Sequence, residues 1–183
     1  FFNTNGEMTT VDLAVASFGQ GISITPIQMI TAVSAVANGG YLVEPYVVRQ
    51  IVNSEGNVIQ NTESKIKRQV ISKEVSDQMN QLLENNSTSA GANSGYIAGY
   101  RVAGKTGTSQ LKRTTDDGTV VNCNNGFFIS YAPFDNPEIA IAVVGENVKT
   151  GGGMSRVAVD VYNYYFGNKN KYEAVDKNNV LIP

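Results

Sequence analysis

Between residues 96 and 166 the order of strand-forming and turn-forming residues leaves few arrangements open. Three runs of small, β-branched and aromatic residues, at 96–108, 126–133 and 138–147, are bounded by turn formers, among them Pro133-Phe134-Asp135-Asn136-Pro137. Gly151-Gly152-Gly153 then opens a helical pattern from Met154 to Phe166, with Val157, Val161, Tyr164 and Tyr165 as its apolar stripe. Consecutive strands with short links are antiparallel neighbours, and the helix that follows must bury its stripe against them. The expectation is an antiparallel sheet with 154–166 packed across one face. Gln110 to Asn125 reads as a polar hairpin loop or edge flap with Asp116 and Asp117 at a solvated tip. Tyr162, Tyr164 and Tyr165 read as helix packing with their hydroxyls outward.

The front half carries further elements. Pro26 after Thr25 suits the first turn of a capped helix, and Asn38-Gly39-Gly40 ends it. Its apolar residues, from Ile27 to Ala37, cover more than one face and predict a buried helix. Tyr41 to Ile59 reads as a hairpin with its turn at 53–57, and Lys65 to Gln69 as a basic surface strand. Ser72 to Glu84 reads as an amphipathic helix with Val75, Met79, Leu82 and Leu83 on one side, followed by a loop from Asn85 to Ser94. The tail from 167 to 183 is polar and expected to pack loosely. The first residue is not Met, so the chain reads as a segment of something longer.

Composition removes several function classes. The formal net charge is −2, with no basic surplus to neutralise a phosphate backbone, so nucleic acid is not an expected partner. Histidine is absent and cysteine occurs once. Ser-His-Asp triads, Cys-His pairs and His-ligated metals are therefore excluded within the chain, and acid–base work falls to Lys, Asp, Glu or Tyr. No cofactor or metal is expected. Cys123 reads as a free thiol near the start of a strand, with a reactive thiol or one ligand of a shared metal site as the alternative.

The sharpest chemical feature is Lys105-Thr106-Gly107-Thr108. A lysine at a strand end supplies positive charge, and the hydroxyls of Thr106 and Thr108 can donate to a carboxylate. Gly107 lets a ligand lie close against the strand, and the Thr108 N–H can help hold an oxyanion. Three residues alone also fit a surface lysine in a Gly/Thr-rich turn.

Four segments in order change that balance. These are Gly19-Gln20-Gly21 with Thr25-Pro26-Ile27-Gln28; Ala37-Asn38-Gly39-Gly40 with Pro45; Val102 to Gln110; and Phe128-Ile129-Ser130-Tyr131-Ala132-Pro133 with Asn136-Pro137. Together they resemble the class B penicillin-binding proteins, the D,D-transpeptidases, over nearly the whole chain to Phe166. Val11-Asp12-Leu13-Ala14 is nearer the division and sporulation subgroup than the elongation one.

The resemblance implies the penicillin-binding and β-lactamase-like α/β fold, an antiparallel sheet flanked by helices, of which this chain is the C-terminal part of one domain. It implies a serine in Ser-x-x-Lys that attacks a D-Ala-D-Ala peptide, a Ser-x-Asn element for proton transfer, and Lys105 with Thr106, Gly107 and Thr108 at the substrate carboxylate. No serine here has an asparagine two residues on. Ser-x-x-Lys occurs as Ser64 with Lys67 and Ser109 with Lys112, and neither fits a nucleophile far upstream of Lys-Thr-Gly. The nucleophile is expected outside this chain, which alone would be inactive. The implied partners are peptidoglycan stem peptides, β-lactams, the upstream half of the same domain and cell-wall synthesis proteins. The implied location is the outer face of the bacterial plasma membrane, with an N-terminal anchor. A β-lactamase or β-lactam sensor, and a non-catalytic scaffold of cell-wall synthesis, are the alternatives.

Overall fold

A computed structural model describes residues 8–89 and 100–167. Helix α1 (Thr10–Ser17) and helix α2 (Pro26–Ala37) each open with a reciprocal cap. The Gln28 N–H donates to Thr25 Oγ1 at 3.3 Å while the Thr25 N–H donates to the Gln28 side chain at 2.9 Å. Thr9 and Asp12 repeat the device on α1, where Thr-x-x-Asp ahead of an apolar run is the signal in the sequence.

The segment expected to form one hairpin is divided. Strand β1 (Tyr41–Val43) pairs antiparallel with β4 (Ile66–Gln69), and the hairpin proper is β2 (Gln50–Val52) with β3 (Val58–Asn61). Helix α3 (Lys73–Ser89) runs through Asn85–Ser89, where a loop was expected.

The main sheet has the order β5 (Ala103–Thr114), β6 (Val120–Ala132), β7 (Ile139–Gly145), all antiparallel. Helix α4 (Gly152–Gly167) crosses one face. This is the predicted arrangement, save that β5 begins only at Ala103 and that 96–99 lies outside the described residues. So does the tail beyond Gly167. The polar stretch 110–125 is the hairpin of the two alternatives: β5 and β6 continue as a two-stranded ribbon to a turn at Thr115–Thr119, with Asp116 and Asp117 exposed at its tip.

Alternation along the strands sorts the side chains. Phe128, Ser130 and Ala132 of β6 and Ile141 of β7 face α4, where Ala158, Tyr162 and Phe166 meet them with Tyr100 and Val102. The rings of Tyr100 and Phe166 stack at 4.4 Å. Tyr131 faces the other way, and its hydroxyl reaches the Asn80 side chain of α3.

Three expectations about helix faces are corrected. The predicted α4 stripe is largely outward: Val157, Val161 and Tyr164 are exposed, and the buried residues are Ser155, Ala158, Tyr162 and Phe166. Small residues there let the helix sit close to the sheet, which hydrophobicity alone does not reveal. The Tyr162 hydroxyl points inward and donates to Ser130 Oγ at 2.9 Å. On α3, Val75, Met79 and Leu82 are exposed, while Ser76, Glu84 and Ser87 are buried because each has a polar partner. On α2 only Ala35 is buried; the helix meets β1, β6, β7 and α3, and Ile27 in its first turn is exposed.

Candidate active site

Strand β5 begins Ala103-Gly104-Lys105-Thr106-Gly107-Thr108, small and β-branched residues that lie flat against Gly126 to Tyr131 of β6. Its opposite side is a sheet edge. The Gly104 carbonyl accepts from α3 on that outer edge. Peptide groups two residues apart on a strand point the same way, so Thr106 and Thr108 also turn their N–H and C=O outward. Lys105 Nζ curls over the edge and donates to the Thr106 carbonyl at 2.8 Å.

The four predicted residues are thus gathered on one strand but presented in two ways. Lys105 and Gly107 lie on the α3 side of the sheet, and Thr106 and Thr108 on the α4 side. A chain lying along the edge would meet both sets and the Thr106 and Thr108 peptide groups between them. A Cβ on Gly107 would touch only Phe127 Cβ, at 3.7 Å, so protein packing does not demand glycine there.

Loop 146–151 braces this edge from the α4 side, and nothing in the sequence reading anticipated it. The Gly151 N–H donates to Thr108 Oγ1 at 2.9 Å. The Val148 N–H donates to the Asn124 carbonyl, and Asn124 Nδ2 donates to the Lys149 carbonyl at 3.1 Å. Thr108 Oγ1 is therefore held as an acceptor while its own proton remains to be donated. Gly151 is buried, and a Cβ there would fall 1.9 Å from the Gly107 carbonyl oxygen. Only the first glycine of Gly151-Gly152-Gly153 is required by contact, since a Cβ on Gly153 would meet nothing within 4 Å.

Helix α3 braces the start of the same edge. Arg101 and Glu84 form a two-pronged ion pair, its second hydrogen bond, Arg101 Nη2 to Glu84 Oε2, being 2.8 Å; the Glu84 side chain is only 7% exposed. The Arg101 guanidinium also lies 3.9 Å over the Phe134 ring. Two residues further, Asn86 Nδ2 donates to the Gly104 carbonyl at 2.9 Å; buried Ser87 Oγ lies 3.4 Å from that carbonyl but has the Leu83 carbonyl nearer, at 3.2 Å.

The sequence profile described as the penicillin binding protein transpeptidase domain matches residues 2–163. The chain belongs to the penicillin-binding protein transpeptidase family. Stage V sporulation protein D of Bacillus subtilis is 39% identical over 76% of this chain and 21% of its own. Peptidoglycan D,D-transpeptidase MrdA of Acinetobacter baumannii is 30% identical over 85% of this chain and 24% of its own. Among solved structures, penicillin-binding protein A of M. tuberculosis as its ceftriaxone acyl-enzyme superposes with a TM-score of 0.72 at 25% identity. That match covers 85% of this chain and 35% of the solved one. The chain spans 21–24% of the length of these two curated relatives.

Neither local Ser-x-x-Lys brings its serine and lysine together on one face of a helix. Ser109 and Lys112 lie on β5, where an odd separation puts them on opposite faces, roughly 10 Å apart along the strand. Ser64 is exposed in the link before β4, and Lys67 lies on that strand. Cys123 is a free thiol on the ribbon, opposite Leu111 and partly exposed. Asp117 accepts from the Thr115 hydroxyl and the Thr119 N–H, which hold its carboxyl below the usual range and serve the turn.

Proposed function

We propose that this chain is the C-terminal part of the transpeptidase domain of a peptidoglycan D,D-transpeptidase, and that it supplies the strand on which the donor peptide lies. The observation that carries the reading is the outer edge of β5, where Lys105 Nζ and the outward peptide groups of Thr106 and Thr108 stand together. A peptide ending in D-Ala-D-Ala lies along this edge, with its carboxylate near Lys105 and the hydroxyls of Thr106 and Thr108. The Thr108 N–H donates to the scissile carbonyl oxygen as it takes up negative charge. A serine outside these residues attacks that carbon, the amide C–N bond breaks, and the terminal D-Ala leaves. An amine of a neighbouring stem peptide then takes the acyl group. β-Lactams enter by the same route because they too carry a carboxylate beside a reactive amide.

The names of the relatives support transpeptidation over β-lactam hydrolysis, and the 39% identity to a sporulation protein supports the division and sporulation subgroup. No helix among the described residues is long and apolar enough to cross a membrane. The reading puts the domain on the outer face of the plasma membrane, anchored by an upstream segment and completed by the upstream half of the domain. Peptidoglycan stem peptides are its substrates, and other cell-wall synthesis proteins are its partners.

Incubation of the full-length protein with a fluorescent penicillin tests this. A stoichiometric adduct that survives denaturation and turns over slowly is expected. Rapid release of hydrolysed penicillin would indicate a β-lactamase, and no adduct would leave the scaffold alternative standing.

A further inference from the structure

We propose that Asn86 is a positioning residue for the donor strand. By closing the edge of β5 at Gly104 it sets where the substrate edge begins and fixes the register of Lys105. The inference rests on the donor-strand reading of β5 given above.

Gly104 is the residue before Lys105, it is buried, and its carbonyl points to the outer edge. An edge carbonyl is a standing acceptor for any extended peptide that arrives there. Here it is already taken, by Asn86 Nδ2 at 2.9 Å. The next outward groups belong to Thr106, roughly 7 Å along the strand; its carbonyl accepts from Lys105 Nζ, the end of an exposed side chain that an incoming carboxylate can draw away, whereas Asn86 is fixed on a helix. An incoming peptide can therefore pair at Thr106 and Thr108 but not one step earlier. A slip of two residues would carry its carboxylate away from Lys105, so a single capped carbonyl excludes the competing register.

Asn86 is itself held. Glu84, two residues before it, grips Arg101 with both carboxylate oxygens, and Arg101 lies three residues before Gly104. The Phe134 N–H donates to the Arg101 carbonyl at 2.8 Å while the Phe134 ring lies under the guanidinium. The end of α3 and the start of β5 are thus tied twice within one helical turn. Gly104 cannot retreat towards β6 either, because its Cα side already packs so closely that a Cβ would lie 2.8 Å from Ser130 Cβ. Helix and neighbouring strand hold this peptide unit from both sides, and Lys105 follows directly.

The test uses the full-length protein, its second-order acylation constant with a β-lactam, and a double-mutant cycle with Lys105. Asn86→Asp keeps the shape but replaces the donor with an acceptor, and Asn86→Ala removes it. Each is expected to slow acylation by roughly 5- to 30-fold, because small displacements of positioned groups are costly in rate. In a Lys105→Ala background the same changes should cost less than about twofold, since the register they protect no longer matters. A merely structural Asn86 would instead add its full effect in both backgrounds, and that result overturns the proposal. If both Asn86 variants prove too unstable, Asn86→Gln, which keeps the amide donor on a side chain one methylene longer, takes their place in the same cycle, with a fall of roughly 5-fold expected in the Lys105 protein and less than about twofold in the Lys105→Ala protein. Wild-type acylation by Asn86→Asp beside a slow Lys105→Ala would defeat this inference alone. No acylation of the unmodified protein would defeat the underlying reading.

Discussion

Gly151→Ala should damage both the fold and the site, although it adds one methyl group to a loop. The new Cβ would sit 1.9 Å from the Gly107 carbonyl oxygen and 3.1 Å from that of Phe127, both backbone atoms inside the β5–β6 pairing. Ordinary contact begins at 3.4 Å, so loop 146–151 must rise by the difference, about 1.5 Å. That stretches the 2.9 Å hydrogen bond from the Gly151 N–H to Thr108 Oγ1 beyond any useful length. Overpacking costs about 1–3 kcal/mol and the lost hydrogen bond about 0.5–1.5 kcal/mol, giving roughly 2–4 kcal/mol. In a domain of ordinary size this lowers Tm by roughly 5–15 °C. Acylation by a β-lactam should slow as well, by roughly tenfold, because Thr108 loses its brace. Gly153→Ala is the control: its Cβ meets nothing, and replacing glycine in a helix should be neutral or stabilising by up to about 1 kcal/mol. Thermal denaturation and acylation kinetics of the two full-length variants make the comparison. If Gly151→Ala melts and acylates like the unmodified protein, loop 146–151 does not brace the β5 edge.

Other substitutions separate fold from site. Thr108→Val leaves the buried Gly151 N–H without its acceptor, so it should cost about 1–3 kcal/mol in denaturation as well as slowing acylation, whereas Thr106→Val should slow acylation without that loss of stability. Tyr162→Phe should destabilise by about 1–3 kcal/mol, since the Ser130 hydroxyl it serves is fully buried, and should leave acylation by the surviving folded protein unchanged. Burial pushes the Tyr131 and Tyr162 hydroxyls well above their ordinary value of 10.0. The folded state therefore holds these protons more tightly than the unfolded state. Stability should be full below pH 10 and fall as pH rises above it, which denaturant titration at successive alkaline pH values would reveal. A flat profile would place these hydroxyls in water.

What the sequence made legible follows its local signals. The caps of α2, the turn at 133–137 and the runs of β6 and β7 are each written in a few adjacent residues, and their antiparallel order follows from short links. The faces of α3 and α4 were misread because burial there is decided by partners distant in sequence. Ser76 is buried because the Val36 carbonyl waits for it, and Tyr162 because Ser130 does. Lys105 to Thr108 stood out as a motif, yet the groups that brace them did not. Asn86 lay in a run of Asn, Ser and Thr that reads as loop, and Gly151 among glycines of which one alone is sterically required.

The central claim, that the β5 edge holds the carboxylate of the donor, rests most directly on Lys105. The deciding measurement is the second-order acylation constant of full-length protein and its Lys105→Ala variant with a β-lactam, beside their melting temperatures. Charge-assisted hydrogen bonds of about 1.5–3 kcal/mol predict a fall of roughly 10- to 150-fold with little change in melting. An unchanged acylation constant, or a loss explained by a melting point many degrees lower, would contradict the account.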